Sequence, residues 1–310
     1  MSSDHARLLG LTAAAHTPFA ADGSLDLAVV ERQAEHLARS GVAAVFVGGT
    51  TGESHSLTAD ERLRLARRWV DATRAGGPRV VVHVGANCLD DSRALAGDAE
   101  QAGASAISAL APSYFKPRSL EALVAWCEAI AAAAPALPFY FYDIPALTGV
   151  HLGMPEFLDA ARSRIPNLAG IKFTNSDLMA YQLCLRADDA KWDVPFGCDE
   201  YLLAALALGA RGAVGSSYNF AAPIYLRLIE AFERGDLEQA RVEQFRSVRL
   251  IRLLASFGYM AAAKAVMRRI GLDVGPPRPP HDRLTAEQES RLFAELDRLE
   301  PEARPTATLN

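Results

Sequence analysis

The sequence predicts a closed (β/α)8 barrel with a C-terminal helical extension. Eight short apolar runs alternate with Ala- and Leu-rich helical stretches, the connections are short, and the alternation fills residues 1–234. Such a barrel takes roughly 250 residues. Strands separated by helices cannot pair as hairpins, so they must run parallel. An open doubly wound sheet is the alternative, but its Gly-x-Gly-x-x-Gly dinucleotide turn is absent.

The apolar runs are 8–15, 42–48, 79–85, 104–111, 138–142, 168–174, 193–198 and 211–217. Between them, a helical pattern over 26–40 follows the Asp22-Gly23 turn, and Thr58-Ala-Asp-Glu61 announces the next helix with the S/T-x-x-E form of a capping box. Further helices are expected over 90–102 and 120–134, and from about Pro155, where proline suits the first turn. Beyond the barrel, 235–270 and 285–299 read as helical, with breaks at Gly271 and Gly275-Pro-Pro. Residues 235–310 are therefore expected to be an extension packed on the barrel, with 304–310 as a frayed tail.

Composition excludes several functions. With 50% apolar and 22% charged residues, and no apolar run of the roughly 18 residues a span needs, nothing is expected to cross a bilayer. The start, MSSDHARLLG, lacks the basic and apolar stretches of a signal peptide, so a cytoplasmic location is expected. A net charge of −5 without clustered positive charge argues against nucleic acid as partner. Cys88, Cys127, Cys184 and Cys198 form no CxxC and suit reduced, mostly buried thiols, and the histidines are dispersed, so neither a disulfide framework nor a metal site is expected. Only Lys116, Lys172, Lys191 and Lys264 among the 32 basic residues are lysine, which leaves few candidates for amine chemistry.

Function in such barrels sits at the C-terminal ends of the strands. The run Leu168-Ala-Gly-Ile-Lys172-Phe-Thr174 places a cation inside an apolar strand. Alternation puts Gly170, Lys172 and Thr174 on one face and Ala169, Ile171 and Phe173 on the other, so Lys172 points into the lumen if the apolar face meets the helices. One reading pairs it with a buried carboxylate. The other makes it a nucleophile for ketones, because desolvation raises the neutral fraction of an amine. Tyr142 ends the fifth run, where its phenol can reach Lys172 and shuttle protons, whereas Tyr140 is expected to be core. After the second run, Gly48-Gly49-Thr50-Thr51-Gly52-Glu53-Ser54 combines glycines that turn N–H groups inward with hydroxyl donors. It leads toward a helix N-terminus and suits a small carboxylate, and it is not a Walker loop. Gly197-Cys198-Asp199-Glu200 and Gly215-Ser216-Ser217-Tyr218-Asn219 follow the last two runs. Asp199 and Glu200 either accept hydrogen bonds from substrate hydroxyls or start a helix.

In the ordered series Thr17-Pro18-Phe19, 48–53, 142–149, 170–174 and 212–219, the chain resembles the pyruvate-dependent class I aldolase superfamily, with its dihydrodipicolinate synthase and sialic acid lyase branches. That resemblance implies that Lys172 forms a Schiff base with pyruvate, that Tyr142 is the proton shuttle, and that Gly49, Thr50 and Thr51 hold the pyruvate carboxylate. In Tyr142-Asp-Ile-Pro-Ala-Leu147-Thr-Gly149, Leu147 stands where the synthase branch has an anion-binding Arg, so the segment is closer to sialic acid lyases. The lyase resemblance implies that Gly197, Asp199, Glu200, Gly215 and Ser216 hold sugar hydroxyls and that Thr174 contacts substrate. It further implies that Thr51 and Tyr114 assist the proton relay, Tyr114 reaching a neighbour's site in a homotetramer. The implied reaction releases N-acetylmannosamine and pyruvate from a sialic acid and needs no cofactor beyond the imine on Lys172. A 2-keto-3-deoxy sugar acid aldolase, a hydratase-aldolase or a dihydrodipicolinate synthase would keep the same core. From another class, a catalytically silent ligand-binding barrel is the alternative.

Overall fold

The computed structural model describes residues 7–305. Its parallel strands are β1 (Gly10–Ala14), β2 (Ala44–Val47), β3 (Arg79–His83), β4 (Ala106–Leu110), β5 (Phe139–Asp143), β6 (Leu168–Phe173) and β7 (Gly212–Gly215). They are bonded in the order β6-β5-β4-β3-β2-β1-β7, so β7 returns to β1 and sets Thr12 opposite Val214. β-branched and aromatic side chains dominate β3 and β5, as suits strands covered on both faces.

The run 193–198 does not form the continuous seventh strand expected of it. It is nevertheless extended and closes the ring between β6 and β7. Ile171 N–H and Phe173 N–H donate to Asp193 O and Pro195 O, each at 3.0 Å, and Val214 N–H donates to Phe196 O at 2.8 Å. On the return path Asp193 N–H reaches Ala169 O and Gly197 N–H reaches Phe173 O. The residue between them is Pro195, which has no N–H, so one rung of the ladder is missing. Gly170 permits the close approach at this joint, since a Cβ there would overlap Asp193 O. The architecture is a (β/α)8 barrel whose seventh staff is held by bridges rather than a full ladder.

Around the ring lie α1 (Val29–Arg39), α2 (Ala59–Thr73), α3 (Leu89–Ala102), α4 (Leu120–Ala131), the short α5 (Pro145–Thr148), α6 (Met154–Ala161), α7 (Leu178–Ala190), α8 (Leu202–Leu208) and α9 (Tyr218–Glu233). The capping box expected for α2 is present: Glu61 N–H donates to Thr58 Oγ1 at 3.2 Å, and Thr58 N–H donates to Glu61 Oε2 at 2.9 Å. α3 stops at Gly103, whose left-handed φ of 90° a side chain would resist. Ile171 and Phe173 face the helices, whereas Phe46, Val81, Tyr140 and Tyr142 fill the barrel interior. Tyr140 is core, as its position suggests, and donates to Asp193 Oδ2 at 2.7 Å.

The extension is α10 (Leu237–Ser256), α11 (Tyr259–Arg269) and α12 (Ala286–Asp297). Arg304, expected to open the frayed tail, is instead held in place, donating to Leu299 O at 3.0 Å and to Asp297 O at 2.7 Å. Residues 306–310, and the first six residues on which the leader reading rests, lie outside the described residues. Among those described, no single helix is long and apolar enough to cross a membrane. The four cysteines are free, with Cys127 and Cys184 buried, Cys198 half-buried and Cys88 exposed.

Candidate active site

β6 carries Lys172 beside Tyr142 of β5, its register partner. The lysine is buried, and its Nζ lies 3.5 Å from the centroid of the Tyr142 ring and 4.3 Å from that of Phe46. Lysine ion pairs among the described residues involve Lys191 and Lys264, not Lys172. The buried-carboxylate partner considered for Lys172 is therefore replaced by two aromatic faces, which attract a cation without fixing it in a salt bridge. An amine so placed keeps its lone pair available once it loses a proton.

The loop after β2 adds the hydroxyls. Thr50 Oγ1 and Tyr142 Oη are hydrogen-bonded at 3.2 Å, and the next residue, Thr51, is buried. A Cβ at Gly49 would strike the Phe46 ring, and one at Gly52 would press on the Gly48 backbone, so these glycines let the loop fold on itself. Glu53 N–H donates to Thr50 O at 3.0 Å and Ser54 N–H to Gly49 O at 3.2 Å, closing the turn. The loop leads toward the N-terminus of α2, as expected. A single 3-10 turn, Ser54–Ser56, intervenes before α2.

His83, at the end of β3, packs edge-on against Tyr142 with ring centroids 5.8 Å apart. Its Nδ1 is 3.0 Å from Gly48 O. Since a carbonyl only accepts, Nδ1 carries the hydrogen. Burial, followed by the positive charge of Arg62, pushes this imidazole well below its usual range, so it stays neutral.

Asp199, Glu200, Gly215 and Ser216 stand at the C-terminal ends of the last two staves. Asp199 is buried and starts the 3-10 turn Asp199–Tyr201, so it does take a turn-starting position. Its Oδ2 accepts the Ser217 N–H at 3.0 Å and the Ser217 hydroxyl, and Ser217 Oγ also meets Tyr225 Oη at 2.6 Å. Burial pushes the Asp199 carboxyl up to about 6. Glu200 is half-buried beside it. Ser216 Oγ is 2.7 Å from Tyr259 Oη, a hydroxyl supplied by α11. Gly197 abuts Thr174, where a Cβ would collide with Oγ1, and that hydroxyl is buried with no hydrogen-bond partner in the chain.

Tyr114 is not brought to Lys172 within one chain. Its side chain is 77% exposed and stacks edge-on against Phe115, itself 85% exposed. Conversely, sequence reasoning missed Phe46, His83, Ser217 and Tyr259. His83 had a usable signal, a polar side chain at a strand's C-terminal end. Phe46 read as ordinary core, and Tyr259 comes from a helix far along the chain.

Asp143 follows Tyr142 and faces away from the lumen, accepting from Asn175 Nδ2 at 3.2 Å. Burial pushes its carboxyl from 3.8 up to about 6. Between those values the folded chain keeps a proton that the unfolded chain has released, so this group's contribution to stability falls as pH rises. At one pKa unit per 1.36 kcal/mol, the penalty above pH 6 is on the order of 3 kcal/mol. The Asp143→Asn variant is expected to gain stability relative to the parent between pH 4 and 7, read from urea midpoints. A difference that does not change with pH would contradict this.

Among the described residues, no group of three or more His, Cys, Asp and Glu side chains is arranged to hold a metal ion. Comparison with known proteins adds to this geometry. The model of the dihydrodipicolinate synthetase family matches residues 7–299. The chain is 40% identical over 297 residues to the N-acetylneuraminate lyase of Rattus norvegicus, covering 94% of this chain and 93% of that protein. Among solved structures, N-acetylneuraminate lyase of Proteus mirabilis superposes with a TM-score of 0.92 at 42% identity, covering 95% of this chain and all of that one (100%). A DHDPS from Cyanidioschyzon merolae gives a TM-score of 0.87 at 31% identity, with coverage of 96% and 98%.

Proposed function

Because the chain belongs to the dihydrodipicolinate synthetase family, we propose that it is a Schiff-base-forming aldolase that cleaves N-acetylneuraminate reversibly to N-acetylmannosamine and pyruvate. The observation that carries the reading is Lys172 Nζ held against the Tyr142 ring at 3.5 Å while the Tyr142 hydroxyl meets Thr50. Similarity to N-acetylneuraminate lyases, together with Leu147 at the position of the synthase Arg, favours the sialic acid branch.

In this reading the Lys172 amine attacks the C2 ketone of the open-chain sugar and water leaves. The protonated imine then draws electrons from the C3–C4 bond, while Tyr142 takes the proton of the C4 hydroxyl. N-acetylmannosamine departs, the enamine is protonated at C3, and hydrolysis returns pyruvate and the free amine. Gly49, Thr50 and Thr51 hold the carboxylate, and Thr51 assists the relay. Thr174, Gly197, Asp199, Glu200, Gly215 and Ser216 hold the sugar hydroxyls. No cofactor takes part, because the imine is the electron sink. The exposed Tyr114–Phe115 pair supports a homotetramer in which Tyr114 serves a neighbour's site, a state that light scattering in solution measures. The free cysteines suit a reducing, cytoplasmic location.

Incubation with N-acetylneuraminate is expected to release pyruvate and N-acetylmannosamine in equal amounts. In reverse, pyruvate is offered with a panel of aldehydes. Preference for a short sugar aldehyde over N-acetylmannosamine would assign a sibling aldolase instead, and pyruvate binding without any turnover would assign a silent barrel.

A further inference from the structure

Lys264 and Glu53 form an ion pair that the reaction does not call for. Nζ and Oε1 are 2.7 Å apart, and the two side chains are 1% and 0% exposed. Lys264 belongs to α11 of the extension, whereas Glu53 closes the loop that carries Thr50 and Thr51. Burying two charges is costly, and removing one partner alone strands the other, so such a pair is poorly explained by stability.

Its placement suggests a different role. Glu53 has a left-handed backbone, φ 55° and ψ 37°, although it is not glycine. That conformation disfavours residues with a Cβ and needs outside support. The Glu53 side chain is held from the far end of the chain. Besides the ion pair, Glu53 Oε2 accepts the Arg278 N–H at 2.8 Å. Lys264 Nζ also donates to Thr17 O at 2.9 Å and to Pro276 O at 3.3 Å, and it lies 4.3 Å from the centroid of the Phe19 ring. Thr17 Oγ1 in turn donates to Gly52 O at 2.6 Å. Glu53 N–H bonds Thr50 O, so rotation at Glu53 would carry Thr50 with it. Such a movement would break the hydrogen bond between Thr50 and the Tyr142 hydroxyl.

We infer that Lys264 and Glu53 are positioning residues, which set the carboxylate-binding loop from the C-terminal extension and thereby determine how tightly the 2-oxo acid is held for attack by Lys172. The inference rests on the Schiff-base reading above.

The test is borohydride trapping of pyruvate on the full chain, titrated over pyruvate concentration, in wild type, Lys264→Met and the double variant Glu53→Gln/Lys264→Met. The double variant removes both charges at similar volume, so it leaves no stranded ion and keeps the experiment readable if Lys264→Met fails to fold. In either folded variant the half-saturating pyruvate concentration is expected to rise about tenfold, the equivalent of one lost charge-assisted hydrogen bond. The trapping rate at saturation is expected to hold within about threefold, well short of the tenfold step that 1.4 kcal/mol produces. A purely structural role would instead lower the amplitude of trapping through loss of folded protein, with the half-saturating concentration unchanged. A folded double variant with the wild-type pyruvate dependence would overturn the inference. If wild type itself traps no pyruvate, the Schiff-base reading fails and this inference with it.

Discussion

Lys172→Arg is expected to lose the pyruvate adduct completely and to reduce cleavage of N-acetylneuraminate by about 10⁴-fold or more, the scale seen when a covalent nucleophile is removed. Arginine keeps the positive charge but remains protonated at any useful pH, so it has no lone pair with which to form an imine. The Lys172→Met variant separates chemistry from folding. It fills similar space against Phe46 and Tyr142 without burying a cation, and its thermal midpoint is expected to match or exceed that of the parent. Peptide mapping after borohydride reduction is expected to place the wild-type adduct on Lys172. The other lysines are poor candidates: Lys264 is paired with Glu53, Lys191 is a surface residue near Asp188, and Lys116 lies in a loop. An adduct on any of these would displace the mechanism.

Tyr142→Phe is expected to separate imine formation from bond cleavage. Phenylalanine keeps the ring that faces the ammonium and removes only the hydroxyl bonded to Thr50. Borohydride should therefore still trap pyruvate. Cleavage is expected to fall by about 10²–10⁴-fold, the range for loss of a positioned general acid or base. Single-turnover measurements of pyruvate release and of adduct formation on the same sample separate the two steps. Cleavage within a factor of a few of wild type would mean that another group moves the C4 proton.

Local periodicity made much of this site legible. The alternation Gly170, Lys172, Thr174 puts the amine on the lumen face, because a strand has only two faces. The Gly/Thr-rich loop is legible from its composition and Tyr142 from its place at a strand end. What escaped was whatever depends on distant parts of the chain. Phe46 gains its role only from a lysine on β6, and Tyr259 from a serine after β7. Glu53 meets Lys264, a residue more than two hundred positions away that no local pattern announces. Pro195 was a local signal that pattern reading passed over: the run looks apolar enough for a strand, yet lacks the one N–H that would complete its ladder.

The return of β7 to β1 orders events during synthesis. While the ribosome is still making the chain, β1 already has β2 on one side, but its other edge has no partner until residues 212–215 emerge. Such an edge is open to pairing with other chains. Lys172, Tyr142 and the Thr50 loop are all translated before that point, so the chemical groups exist well before the ring that orients them. A message truncated just upstream of β7 would yield a chain with most of its reactive side chains and an adhesive margin, whose expected fate is aggregation or proteolysis.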